Sequence, residues 1–178
     1  KRSDLILRDE ARLEQLLGQH RVRVLFAGKA HPDDVNGRNI VARLVQGARK
    51  HPGQVLFLEN YDMALGRLLT RGCDVWLNNP VRPLEASGTS GMKAAMNGIL
   101  NVSILDGWWP EACEDGVNGF AVGDGQPGDD VRDLHDLYDT LEQRVLPVWA
   151  DRARWSKMML ASVRMSQYAF SSERMIRE

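Results

Sequence analysis

The sequence predicts an α/β fold, a mostly parallel sheet with helices on both faces. Short β-branched runs such as 22–28 and 54–60 alternate with stretches whose apolar residues recur at helical spacing. Each of those runs ends in glycine, asparagine or aspartate, where a chain leaving a strand turns. Strands and helices alternating at these intervals are βαβ units, which need a parallel sheet. With 178 residues the chain has enough surface to bury a core in one domain, and no internal repeat divides it.

The elements follow in order. Ser3 and Asp4 are placed to cap a first helical stretch carrying Leu5, Ile6 and Leu7. Asp9 and Glu10 lead into Leu13, Leu16 and Leu17, with Gly18 as the stop. The run 22–28 is a buried strand, followed by a polar loop through Pro32. Val35, Ile40, Val41, Leu44, Val45 and Ala48 repeat on one helical face, ended by Lys50 and Gly53. Residues 54–60 are the second strand. Asp62 caps a short helix through Met63, Leu65, Leu68 and Leu69, closed by Gly72, and 73–79 is the third strand. A loop from Val81 to Gly91 precedes a helix over 92–97. Residues 100–106 form the fourth strand, 108–119 a loop and 120–124 a short fifth strand. Leu134, Leu137, Tyr138, Leu141 and Val145 mark a helix broken at Pro147. A last helix buries Trp155, Met158 and Met159 and gives way to the charged tail 171–178. Trp76, on the third strand, is assigned to the core.

Ligands of parallel sheets bind at the carboxyl ends of the strands, and the loops after strands here share that edge. The stretch 78–109 is the richest of them. It combines a lone acid (Glu85), a Ser/Gly/Thr loop and a lysine (Lys93), with Gly88, Gly91 and Gly98 close together. Glycine loses the most freedom on folding, so clustered glycines point to a close approach to the backbone. Unpaired N–H groups at a helix start, with the helix dipole behind them, make 87–91 an anion site, plausible for phosphate. The same residues also fit a turn in which Ser or Thr caps the helix. Neither the Walker spacing nor the dinucleotide glycine fingerprint is present. Lys93 reads as a surface lysine or as an amine held near a phosphate for Schiff-base chemistry. Glu85 reads as a solvated acid or as a carboxylate accepting sugar hydroxyls. Trp108 and Trp109, at a strand end, either stack on a sugar or pack.

Composition removes several classes. A net charge of -1 gives no electrostatic footprint for nucleic acid or an anionic membrane. No apolar run is long enough to span a bilayer. Cys73 and Cys113 form no metal spacing and no disulfide framework, and His31 and His51 stand alone before prolines, so no metal is expected. A reducing, cytoplasmic setting follows.

The segment EASGTSGMKAAMNG (85–98) closely resembles the pyridoxal-phosphate attachment signature of the α-glucan (glycogen, maltodextrin) phosphorylases. FAGKAHP (26–32), LENYDMAL (58–65), VWLNNP (75–80) and SILDGWWPE (103–111) flank it in matching order, and together they resemble the short bacterial and archaeal branch. The resemblance implies a two-domain GT-B glycosyltransferase, of which residues 1–178 are most of the C-terminal, Rossmann-like domain. It implies pyridoxal 5'-phosphate joined to Lys93, its phosphate cradled at Thr89 and Ser90, and glucosyl hydroxyls bound by Glu85, Ser87 and Gly88. Lys1 and Arg2 resemble the end of the family's basic Tyr-Lys-Arg motif, with Lys1 on phosphate and both assigned to catalysis. The implied reaction is reversible phosphorolysis of α-1,4-glucan by inorganic phosphate to glucose 1-phosphate, with retention. A homo-oligomer is left open. The chain begins without methionine and lacks the rest of the basic motif, so it is expected to be a piece of a longer chain, without the N-terminal domain, and inactive alone. The alternative is a nucleotide-sugar α-glucan synthase of the same fold. Such enzymes carry a second glutamate eight positions after the first, where this chain has Lys93.

Overall fold

The computed structural model describes residues 1–177; Glu178, the last residue of the expected tail, lies outside them. The chain divides into two compact units, one of Arg2–Gly66 and one of Lys1 with the described residues from Arg67 onward.

In the Arg2–Gly66 unit a 3-10 turn (Leu5–Leu7) and α1 (Glu10–Gly18) precede β1 (Val24–Ala27), α2 (Val35–Lys50) and β2 (Val55–Leu58). β1 and β2 pair in parallel with Val24 opposite Val55 and Ala27 opposite Leu58. Leu5, Leu13, Leu16, Leu17, Leu44 and Val55 form the core, each contributing about 1.5–3 kcal/mol on burial. Asp9 and Asp34 cap α1 and α2, accepting the N–H of Arg12 and Gly37 at 3.1 and 2.8 Å. Asp4, expected as a cap, is not one: its side chain makes no cap bond to the 3-10 turn. Its buried carboxylate instead accepts from Arg43 at 2.8 Å and Arg8 at 3.3 Å. Two guanidiniums outcompete neutral N–H groups for a carboxylate.

The other unit holds β3 (Val75–Asn78), β4 (Leu100–Ile104) and β5 (Gly119–Val122), all parallel, in the order β3-β4-β5. The single sheet expected is therefore two parallel sheets. Strand–helix alternation fixes parallelism but not which strands become neighbours. Every residue of β4 is buried, as the central strand of a covered sheet should be. α3 (Met63–Gly72), within which the units divide, is capped by Asp62, whose Oδ1 accepts the Leu65 N–H at 2.8 Å.

α4 (Thr89–Met96) connects β3 to β4 and packs on α8 (Arg152–Ala169), while α5 (Trp109–Ala112) lies within the expected 108–119 loop. α6 (Asp130–Thr140), capped by Asp129, does not break at Pro147. It runs through one π turn (Leu141–Val145) into α7 (Leu146–Ala150). Pro147 stands in the first turn of α7, directly after the π turn. α8, capped by Asp151, buries Trp155, Met158, Ser162 and Ser166. Met159, expected in the core, is 37% exposed, and Trp76 is only half-buried. The buried stripe of α8 runs through serines instead. The Ser162 hydroxyl reaches the Ile99 carbonyl, and the Ser166 hydroxyl donates to Ser162 O at 2.9 Å. The tail forms a short exposed helix, α9 (Ser172–Arg177). No described helix is long and apolar enough to cross a membrane.

Candidate functional site

β3 and β4 are parallel neighbours with Asn78 opposite Ser103, so the loops leaving them (79–88 and 105–108) emerge on the same edge. Asn78 Nδ2 donates to Ser103 Oγ at 3.3 Å. Next to it Asn79 is buried, and its Oδ1 has no partner among the described residues.

The first loop delivers the chain to α4 in an unusual way. α1, α2, α3, α6 and α8 each start at an aspartate that accepts a first-turn N–H. α4 starts at Gly88, in the left-handed region at φ 95°, with no side-chain cap. Only glycine adopts this conformation without strain. Neither Ser nor Thr serves as the cap that composition allowed. The Gly91 N–H turns back to Gly88 O at 3.0 Å, while the N–H groups of Thr89 and Ser90 have no acceptor among the described residues. They form an open donor pair at the positive end of the helix.

The helix begins three residues earlier than composition predicts, which changes the place of Lys93. It lies one turn along from Thr89, on the same exposed face, rather than in the first turn where the dipole opposes a cation. Helical side chains lean toward the N-terminus, so its stem is directed back toward the open N–H groups. The Lys93 amine has no partner among the described residues; only its carbonyl is engaged, by Asn97. A free amine one turn behind two free N–H donors suits a group with both a carbonyl and an anionic end. The opposite face of α4 is buried through Gly91, Ala94 and Ala95, and Asn101 on β4 donates to Gly91 O at 3.1 Å.

Glu85 is half-buried at the mouth of the loop, and its carboxylate meets the Lys1 amine at 3.4 Å. Two predicted site residues thus come together. Arg2 belongs to the other unit, where it is 7% exposed and its carbonyl accepts the Leu5 N–H.

The 105–108 loop braces the first from behind. Asp106, buried at 7% exposure, accepts the Glu85 N–H on Oδ2 at 3.0 Å and the Gly107 N–H on Oδ1 at 2.9 Å. The Trp108 N–H donates to Ser87 O at 2.8 Å. Both tryptophan rings are buried, at 3% and 0% exposure, against Ala95, Met92, Leu105 and Phe170. They pack and offer no face to a ligand. Cys113 joins this cluster, and burial, reinforced by Asp115, pushes its thiol up to about 12. Sequence reasoning missed Asp106 and Asn101 as parts of the site and left Trp108 open between stacking on a sugar and packing. An Asp-Gly turn directly after a strand, facing a glycine-rich loop, was the available signal.

A family model described as carbohydrate phosphorylase matches residues 8–117. Over its whole length the chain is 43% identical to a maltodextrin phosphorylase of Thermococcus litoralis, of which it covers 22%. It is 43% identical to a glycogen phosphorylase of Aquifex aeolicus, covering 27%, and 44% identical to one of Mycobacterium tuberculosis, covering 22%. The chain thus spans about a quarter of the length of these relatives. Among solved structures, a glycosyltransferase from Rickettsia africae ESF-5 matches 99% of the chain and 42% of its own, with a TM-score of 0.73 at 17% identity. That likeness supports the Rossmann-like α/β fold.

Proposed function

The chain belongs to the carbohydrate phosphorylase family, and on that premise we propose that it is the cofactor-bearing part of an α-glucan phosphorylase. The proposed reaction is reversible phosphorolysis of α-1,4-glucan by inorganic phosphate, giving glucose 1-phosphate with retention. The proposed cofactor is pyridoxal 5'-phosphate. Residues 1–178 are then most of the C-terminal domain of a cytoplasmic two-domain GT-B enzyme, inactive without the N-terminal domain and free to form a homo-oligomer.

The observation that carries this reading is the unpartnered Lys93 amine one turn along the exposed face of a helix whose first N–H groups are open. In the proposed arrangement Lys93 anchors the cofactor through its aldehyde, and the N–H groups of Thr89 and Ser90 hold its phosphate. When bound, the cofactor supplies a phosphate that ionises near neutrality and suits proton exchange at physiological pH. Lys1 offsets the charge of the incoming inorganic phosphate. Glu85 accepts hydroxyl hydrogen bonds from the glucosyl residue, joined by the backbone at Ser87 and Gly88, and so fixes the sugar against the phosphate. The Lys1 amine and the Glu85 carboxylate, 3.4 Å apart, are close to hand before substrate enters. A lysine eight positions after Glu85, in place of a second carboxylate, supports this reading over a nucleotide-sugar synthase.

The test is borohydride reduction of the full-length, cofactor-loaded protein, followed by peptide mapping. The label is expected on Lys93 and is expected to vanish in Lys93→Ala. Label on another lysine, or on none, overturns the assignment.

A further inference from the structure

Glu85 is gripped along its length by one short loop. Its N–H is held by Asp106 Oδ2 at 3.0 Å. An added Cβ on Gly107 would lie 2.9 Å from Glu85 Cγ, so the stem of the glutamate rests on that glycine. Two residues on, Ser87 O receives the Trp108 N–H at 2.8 Å. Only the carboxylate end is left for chemistry, and it meets Lys1.

With Oδ1, Asp106 accepts the N–H of the next residue, Gly107, a purely local bond. Its second oxygen reaches 21 residues back, across the strand edge, to the backbone of the one acid in the facing loop. A charged acceptor makes a stronger bond to an N–H than a neutral one does, and burial removes competing water. Trp108, immobilised against Trp109 and Phe170 at ring-centroid distances of 5.1 and 5.2 Å, gives the brace a rigid base.

We propose that Asp106 is a positioning residue for sugar binding: through the Glu85 N–H it fixes where the Glu85 carboxylate stands. This rests on the reading of Glu85 as the sugar-binding acid. Asp106 itself touches no ligand in this scheme and acts only through Glu85.

The experiment uses the full-length, cofactor-loaded enzyme with Asp106→Ala, Asp106→Asn, Glu85→Gln and the double variant Glu85→Gln/Asp106→Ala. The expected loss in kcat/KM for glucose 1-phosphate is about tenfold or more for Asp106→Ala, the scale of a hydrogen bond to a charged group. Asp106→Asn, with one acceptor oxygen left, is expected to recover part of it. The double variant is expected to be no worse than Glu85→Gln alone, because a residue acting through Glu85 has nothing further to lose. Cofactor content is expected to stay at the wild-type level in all four. Hydrogen exchange of the 84–88 segment is expected to speed up about tenfold in Asp106→Ala, with exchange in β4 unchanged.

Losses that multiply in the double variant, wild-type activity in Asp106→Ala, or unchanged exchange at 84–88 would each overturn the proposal. An inactive wild-type enzyme would instead refute the functional reading. The exchange measurement still decides whether Asp106 holds the Glu85 backbone in that case.

Discussion

Replacing Gly107 with alanine isolates the close approach on which the two facing loops depend. Gly107 has φ +59°, and an added Cβ would lie 2.3 Å from Ser87 O and 2.9 Å from Glu85 Cγ. The left-handed conformation costs an alanine about 1 kcal/mol. The contact with a backbone oxygen has no soft solution, so the 85–87 segment must move by about an ångström. That displacement loses the Trp108–Ser87 hydrogen bond, about 1 kcal/mol net, and the packing under Glu85, about as much again. The expected total is about 3 kcal/mol. Gly116→Ala is the control, because Gly116 has φ +74° but nothing within 4 Å of the added carbon. It suffers the backbone strain alone, about 1 kcal/mol. Urea unfolding followed by tryptophan fluorescence compares the two variants through Trp108 and Trp109, which are buried beside the loop. The expected gap of about 2 kcal/mol is close to thirtyfold in the unfolding equilibrium. Equal costs for the two substitutions would show that the loops do not rely on this contact.

Two further predictions follow from the charged and titratable groups. Cys113, pushed to about 12 chiefly by burial, is expected to resist iodoacetamide at pH 8.5, at least a hundredfold more slowly than a free thiol. Folding favours its protonated form, so the unfolded chain loses this proton first. Its contribution to stability is complete below the ordinary thiol range and is lost as pH rises from about 9 toward 12. A Cys113→Ala variant whose stability falls just as steeply over that range would refute this. Asp4→Ala is expected to cost about 1–2 kcal/mol, discounted because Arg8 and Arg43 are 36% and 51% exposed, and to cost less at high salt. A cost that does not fall as sodium chloride is raised would show that the two ion pairs are not what Asp4 contributes.

Much of the fold was legible because it is written locally. Asp9, Asp34 and Asp62 each stand immediately before an apolar helical run, and each proves to be a cap. What was not legible depends on partners distant in sequence. Asp4 has the same local signature as the caps, but it pairs with Arg8 and with Arg43, which is 39 residues away. Thr89, Ser90 and Gly91 read as loop because their helix propensities are poor. They are helical because Gly91 packs where an added Cβ would meet Asn101 Oδ1 at 2.7 Å and Trp108 Nε1 at 3.1 Å. Shifting the helix start by three residues moved Lys93 from an unfavourable end to a favourable face.

Three departures from local rules fall close together. A glycine stands where five other helices have aspartate. A second glycine at positive φ touches backbone, and a buried carboxylate spends one oxygen on a loop from the neighbouring strand. All three lie at the carboxyl edge of β3 and β4, around Glu85 and the start of α4. Chains tolerate locally unfavourable choices where function demands a particular backbone course. Had α4 begun with an aspartate, it would have been more stable on its own. Its first N–H groups would then have been filled, and a carboxylate would have stood where the cofactor phosphate is proposed to be held.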